Sequence, residues 1–180
     1  MGLGAVGGGV ATALLEQSDA ISGKVGRRIN LKKVLVRDAG KPRDAAIPAG
    51  LITTNPEEIL ADPGIHILAE VIGGTDPATR YLKDALSAGK HVVTANKEVL
   101  AKSGPELMSL AKQNGVSLLF EASVGGGIPI IGCLMNQLLA NDIQSVQGII
   151  NGTTNYILTR MAQAHTSFPQ ALQEAQELGY

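Results

Sequence analysis

The chain opens with Gly2-Leu3-Gly4-Ala5-Val6-Gly7, which fits the pattern G-x-G-x-x-G. Glycines at these positions permit a tight turn, close backbone approach to a pyrophosphate, and tight helix–sheet contact. Val6 to Gln17 then carries an Ala, Val and Leu face at helical spacing, which predicts a helix stopped by Ser18-Asp19. Such a helix aims its first N–H groups and the positive end of its dipole at a phosphate. A plain glycine-rich loop matches the same six residues, so the context has to decide. The pattern needs a strand before it, and only Met1 precedes it. A doubly wound sheet has that strand at its centre, and its neighbours would otherwise lack a hydrogen-bonding partner. The economical expectation is a chain that starts inside a longer protein.

Beyond the first helix, strand and helix signals alternate. Leu31 to Val36 and Ile65 to Ile72 are apolar runs suited to strands, the second ending in Gly73-Gly74. Asn55-Pro56-Glu57-Glu58 supplies a cap, a first-turn proline and early acids for a short helix. Asp76-Pro77 opens a helix that runs to Ala88 and stops at Gly89. His91 to Thr94 reads as a strand, Pro105 to Gln113 as a helix and Val116 to Phe120 as a further strand. Strands and helices in turn, with near-continuous apolar strands, predict an α/β fold: a doubly wound, Rossmann-type parallel sheet covered on both faces. From Ser123 the style changes. A glycine cluster leads into a predicted helix (Ile128 to Leu139), a strand (Ile143 to Ile150) and two helices ending near Gly179. The predicted boundary separates residues 1–122, the nucleotide-binding domain, from 123–180, the start of an α+β substrate and dimerisation domain.

Composition excludes several functions. An apolar share of 44% over 180 residues supports a real core and rules out a disordered chain. The 15 basic and 16 acidic residues recommend neither nucleic acid nor anionic membrane, and 3% aromatics weaken any base-stacking proposal. The longest apolar run, Ile128 to Leu139, is broken by Pro129, Asn136 and Gln137, so no segment reaches membrane-spanning length. Lys24 is the first positive charge, which leaves no basic start for a secretory signal. The reading is a soluble, cytoplasmic protein. Cys133 is alone, so no internal disulfide is possible, and its apolar neighbours at helical spacing mark it as core. His66, His91 and His165 show no zinc-ligand spacing.

After the second predicted strand come Arg37 and Asp38, with Lys41 and Arg43 close by. A carboxylate there binds the ribose hydroxyls of NAD, and an arginine accommodates the 2′-phosphate of NADP. Both types are present. Arg37 and its basic neighbours favour NADP, with NAD as the alternative and a solvated loop as the plain one.

Four further segments act as a set: Glu70-Val71-Ile72-Gly73-Gly74, Thr94-Ala95-Asn96-Lys97, Glu121-Ala122-Ser123-Val124-Gly125-Gly126-Gly127-Ile128-Pro129, and Asn151-Gly152-Thr153-Thr154-Asn155-Tyr156-Ile157-Leu158-Thr159. In this order, behind the glycine pattern, they resemble homoserine dehydrogenase over essentially the whole chain. The resemblance implies NAD(P)-dependent interconversion of L-aspartate 4-semialdehyde and L-homoserine, on the route to threonine and methionine, by a homodimer. It implies cofactor contacts at Gly2, Gly4, Ala5, Val6, Gly7, Arg37, Gly73, Gly74, Thr94, Ala95 and Lys97. Lys97 is then the catalytic candidate. An ammonium at the carboxyl end of a strand can polarise a carbonyl or stabilise a developing alkoxide, although a surface lysine at a helix start looks the same in sequence. Glu70 lies in an apolar strand, where it pairs with a lysine or faces the cleft edge.

The resemblance also implies a sodium site on the Glu121 carboxylate and the carbonyls of Val124, Gly126 and Ile128. A carboxylate beside glycine-rich backbone is a ligand set for hard cations, and the same residues also suit a simple hinge. Asn151, Gly152 and Thr153 are carried over as substrate-proximal, at a helix N-terminus able to hold a carboxylate or merely capped. The family's later Glu, Asp and second Lys fall beyond Tyr180. The expectation is therefore a fragment, lacking the first strand and the later catalytic portion, with little or no activity of its own. The alternative is a catalytically incomplete NADP-binding or dimerisation module.

Overall fold

The computed structural model describes residues 1–42 and 47–179. Arg43, one of the basic residues near the second predicted strand, lies outside them. Two compact units form, Met1–Asn136 and Gln137–Tyr180.

In the first unit, β1 (Val34–Leu35) pairs in parallel with β2 (Ile52–Thr53), and β3 (Ile67–Glu70), β4 (His91–Thr94) and β5 (Leu118–Leu119) form a second parallel sheet in that order. Met1 and Gly2 lie between the two sheets. The Gly2 N–H donates to the Leu35 carbonyl at 3.0 Å, and the Val71 N–H donates to the Met1 carbonyl at 3.0 Å. The Met1 ammonium donates to the Ala69 carbonyl at 2.6 Å. Two residues of backbone thus stand where a central strand would, giving the order β2, β1, Met1–Gly2, β3, β4, β5. Beside them, between residues 27–34 and residues 64–69, opens a slot of about 1290 Å³ whose walls include Ala11, Leu14, Leu31 and Leu68.

Helices α1 (Ala5–Glu16), α2 (Ser18–Val25), α3 (Glu57–Leu60), α4 (Ala78–Ser87) and α5 (Lys97–Gln113) connect the strands. The reason α4 forms is visible in its spacing. Ala78, Tyr81, Leu82, Ala85 and Leu86 recur at i, i+3, i+4, i+7 and i+8, and all five are buried. Fully buried Leu68, Leu82, Leu86, Val92, Val99 and Leu107 belong to one core, and burying each stabilises the fold by about 2 kcal/mol. Left-handed Gly89 ends the α4 turn, and β4 starts two residues later.

Several expectations need correction. The first helix does end ahead of Ser18-Asp19, at Glu16, but those two residues also begin an unexpected second helix, α2, where Asp19 in the first turn suits the dipole. Helix α5 starts at Lys97 rather than Pro105. Asn96 caps it by accepting the Val99 N–H at 3.2 Å, and buried Val99, Gly104, Leu107 and Ala111 outweigh the cost of an interior proline.

The helix expected over Ile128 to Leu139 is reduced to a short helical stretch over residues 131–137, π-wound at Cys133–Gln137. Pro129 delays its start, and Leu139 finds no cover (77% exposed). Cys133 is partly rather than fully buried there. Ile143 to Ile150 is not a strand, because the described elements of its unit are helices and offer no edge to pair with. In that second unit α6 (Gly152–Ala164) packs on α7 (Phe168–Glu177) through Ile157, Ala171 and Ala175. Glu174 accepts both Arg160 Nε at 2.7 Å and Arg160 Nη2 at 3.2 Å, bracing the pair.

Candidate nucleotide-binding site

At the carboxyl ends of the strands, three backbone segments converge: the 2–7 turn, residues 71–74 after β3, and residues 95–97 after β4. The glycines of the first segment do separate jobs. Gly2 has φ +94°, and a Cβ there would sit 2.7 Å from the Val71 carbonyl oxygen. A Cβ on Gly7 would collide with the Gly2 carbonyl oxygen, so α1 approaches the turn as closely as it does only with glycine. Gly4 is the α1 N-cap and faces open space, which leaves the Ala5 and Val6 end of the helix accessible to an anion.

Val6, Val71, Ile72, Gly73, Ala95 and Asn96 line one cleft of about 210 Å³. Gly73 and Gly74 are both left-handed, at φ +82° and +70°, and turn the chain away at the cleft wall. The larger slot between β1 and β3 shares Gly2, Gly7 and Val71 with the site's edge but contains none of Gly73, Ala95 or Lys97. Arg37 is exposed two residues beyond Leu35, the strand residue that accepts the Gly2 N–H. It lies just past the carboxyl end of β1, the strand beside which the fingerprint turn begins. Asp38 is turned locally, accepting the Gly40 N–H at 2.8 Å.

Lys97 is exposed and is the first residue of α5. A helix N-terminus carries partial positive charge, so a lysine there gains nothing from the dipole. Its ammonium and the nearby N–H groups together create a strongly electropositive point beside Asn96. Thr94 lies beneath the cleft, fully buried. Its hydroxyl donates to Glu70 Oε2 at 2.6 Å and accepts the Asn96 N–H at 3.0 Å. Glu70 pairs with no lysine: besides Thr94 it accepts the Ile72 N–H at 2.8 Å. Sequence reasoning does not single out Asn96, which both lines the cleft and holds Gly74. The signal available is an Asn directly before a helix-forming run.

Around the glycine cluster, the Glu121 carboxylate accepts the Ile131 N–H at 2.9 Å and the Gly132 N–H at 2.6 Å. The Gly132 amide above all, with those of Ile131 and Ile130, holds this carboxyl below the usual carboxylate range against a smaller opposing effect of desolvation. Left-handed Gly125 and Gly126 shape the loop that carries the Val124, Gly126 and Ile128 carbonyls. Among the described residues no three His, Cys, Asp or Glu side chains gather as a metal site. In the second unit, Asn151 caps α6 by accepting the Thr154 N–H at 2.8 Å, and Gly152 and Thr153 form the first turn. No helix among the described residues is long and apolar enough to cross a membrane.

A family model described as homoserine dehydrogenase, NAD binding domain, matches residues 2–121. The chain belongs to the homoserine dehydrogenase family. A second family model, homoserine dehydrogenase, matches residues 129–180. Homoserine dehydrogenase of Bacillus subtilis is 44% identical over the whole chain, which covers 42% of that relative. The Synechocystis homoserine dehydrogenase is 46% identical, with 41% of its length covered. The chain thus spans about two-fifths of the length of the curated relatives it matches. Among solved structures, a homoserine dehydrogenase from Thiobacillus denitrificans superposes with a TM-score of 0.90 at 46% identity, over 99% of this chain and 41% of that one. A hyperthermophilic archaeal homoserine dehydrogenase in complex with NADPH superposes at 0.65 and 30% identity, over 92% of this chain and 46% of that one. The parallel sheets and fingerprint turn are those of a Rossmann-type NAD-binding domain.

Proposed function

We propose that this chain supplies the nucleotide-binding part, and the beginning of the substrate-binding part, of a homoserine dehydrogenase that interconverts L-homoserine and L-aspartate 4-semialdehyde. One observation carries the proposal: the open α1 N-terminus, the Gly73-Gly74 turn and the Asn96-Lys97 helix start meet at the carboxyl ends of parallel strands. Open α/β sheets bind their ligands there. When bound, the nicotinamide accepts or supplies the hydride. The residues fit such a group: Gly4 leaves room for its phosphates, and the small cleft between Val6, Gly73 and Ala95 suits a single ring. Arg37 favours NADP over NAD through its guanidinium.

Lys97 is the catalytic residue in this reading. Its ammonium, reinforced by the α5 N-terminus, stabilises negative charge on the substrate oxygen as the carbonyl is reduced. The alkoxide is also the first species in the reverse direction, so the same charge serves both. Asn151, Gly152 and Thr153, at the start of α6, are substrate-proximal in this reading rather than catalytic. A sodium ion suits the Glu121 carboxylate together with the Val124, Gly126 and Ile128 carbonyls, and the Ile131 and Gly132 amides hold that carboxylate in place. A homodimer and residence in the cytoplasm complete the proposal.

Two measurements test it. Calorimetric titration with NADPH and NADH should show binding to the chain, NADPH the tighter. In protein that turns over homoserine, Lys97→Ala should lower kcat by about 100-fold or more, with an unchanged thermal midpoint. Normal turnover with a lowered midpoint would remove Lys97 from the chemistry.

A further inference from the structure

Glu70 is fully buried at the end of β3, and its carboxylate is the meeting point of three donors. Ile72 N–H reaches Oε1 at 2.8 Å, Thr94 O–H reaches Oε2 at 2.6 Å, and Asn96 Nδ2 stands 3.5 Å from Oε1. The network continues outward. Thr94 Oγ1 accepts the Asn96 N–H at 3.0 Å, and Asn96 Nδ2 donates to the Gly74 carbonyl at 2.7 Å. The Asn96 side-chain oxygen accepts the Val99 N–H that starts α5. Every link ends on a segment that walls the 210 Å³ cleft or lies next to one: residues 71–74 on one side, 95–97 on the other.

We propose that Glu70 is a positioning residue that holds both walls of this cleft, and the start of α5, ready for the nicotinamide end of the dinucleotide. The proposal rests on the nucleotide-binding reading above. The chemistry explains why a carboxylate stands here in spite of its burial. Three N–H and O–H groups converge, and only a side chain that accepts at both ends satisfies them without presenting a donor of its own. An amide would turn an NH₂ towards either Ile72 or Thr94. A buried acceptor that loses its donor, or a donor its acceptor, relaxes the backbone around it. Here that backbone is the cleft wall. Glu70 touches neither cofactor nor substrate; it acts through Thr94, Asn96 and Gly74.

The test separates the two ends of the ligand. NADPH contacts both the α1 N-terminus and the cleft, whereas adenosine 2′,5′-bisphosphate lacks the nicotinamide end. Glu70→Gln should weaken NADPH binding by about tenfold, equivalent to about 1.4 kcal/mol, and alter the fluorescence of the bound nicotinamide. Adenosine 2′,5′-bisphosphate should bind the variant as it binds the unaltered chain. Thr94→Val, which removes one hydroxyl from the network, should reproduce the pattern more weakly and covers the case in which Glu70→Gln fails to fold. Equal weakening of both ligands by Thr94→Val, or no weakening of NADPH by a folded Glu70→Gln, would overturn the positioning role. An unaltered chain that binds neither ligand would overturn the nucleotide-binding reading itself, and the positioning role with it.

Discussion

Strand β4 and the segment Ile143 to Ile150 look alike in sequence, yet only the first is a strand. Val92 of β4 is completely buried, with β3 on one side, β5 on the other and α4 packed against it. Ile150 is completely exposed. Strand propensity reports how well a side chain suits a half-buried pleated surface, and it cannot create the neighbouring edge. Within residues 1–136 the edges exist: α4 joins β3 to β4 and α5 joins β4 to β5, each returning the chain parallel to itself. In residues 137–180 the described elements are two helices that pack on each other.

The comparison breaks most decisively through the core under β4. Leu82→Ala in α4 removes a fully buried side chain and should cost about 2–5 kcal/mol in urea denaturation. Ile150→Ala should change stability by no more than about 0.5 kcal/mol. Similar losses at the two positions would mean that the 143–150 segment is packed in solution.

A second, smaller effect sharpens the picture of the sheet's middle. Burial pushes the Met1 ammonium down from 8.0 to about 6, with the opposite charge of Glu70 pulling the other way. The unfolded chain therefore binds more protons than the folded one between these values, and stability should rise with pH across that window. The gain is about 2–3 kcal/mol and is complete above pH 8. Acetylation of the terminus should abolish this slope in denaturation curves taken from pH 5 to 9. A slope that survives acetylation would assign it elsewhere.

The smallest effect concerns the helical pair. Arg160→Ala removes a half-exposed bidentate ion pair with Glu174, the contact that holds the Glu174 carboxyl below its usual range. Exposed pairs of this kind contribute little. Amide exchange should quicken in α7 alone, with β4 protection unaltered. Faster exchange in β4 as well would show that the two units share one opening reaction.

How much of the molecule is legible in its sequence differs by element. β4 has the bounds its four residues suggest, and α4 follows from apolar spacing and Gly89. Both signals are local. The early start of α5 is hidden because Pro105 looks like a first helical residue, while the true cap, Asn96, draws its force from contacts with Gly74 and Glu70. The Glu70 partners are equally hidden: the sequence shows an acid in an apolar run but not which strand lies alongside it. The fingerprint turn is legible as a pattern, yet its closest contact, Gly2 against Val71, joins residues far apart in the chain. The resemblance reaches the right family because its four segments keep their order, which carries information that no single segment holds.

The gap beside Met1 has a consequence for how this polypeptide behaves at high concentration. β1 and β3 belong to different sheets, and only two residues of backbone bridge them at one end. The rest of the slot has Leu14, Leu31 and Leu68 in its walls, with Arg28, Lys33 and His66 among them. Among the described strands β1 pairs only with β2 and β3 only with β4, so an extended segment entering the slot would meet a ladder edge on each side. The chain carries such a segment itself, in the uncovered β-branched stretch of residues 143–150. Self-association by strand donation, measured as light scattering that grows with protein concentration, is the colloidal signature this arrangement favours.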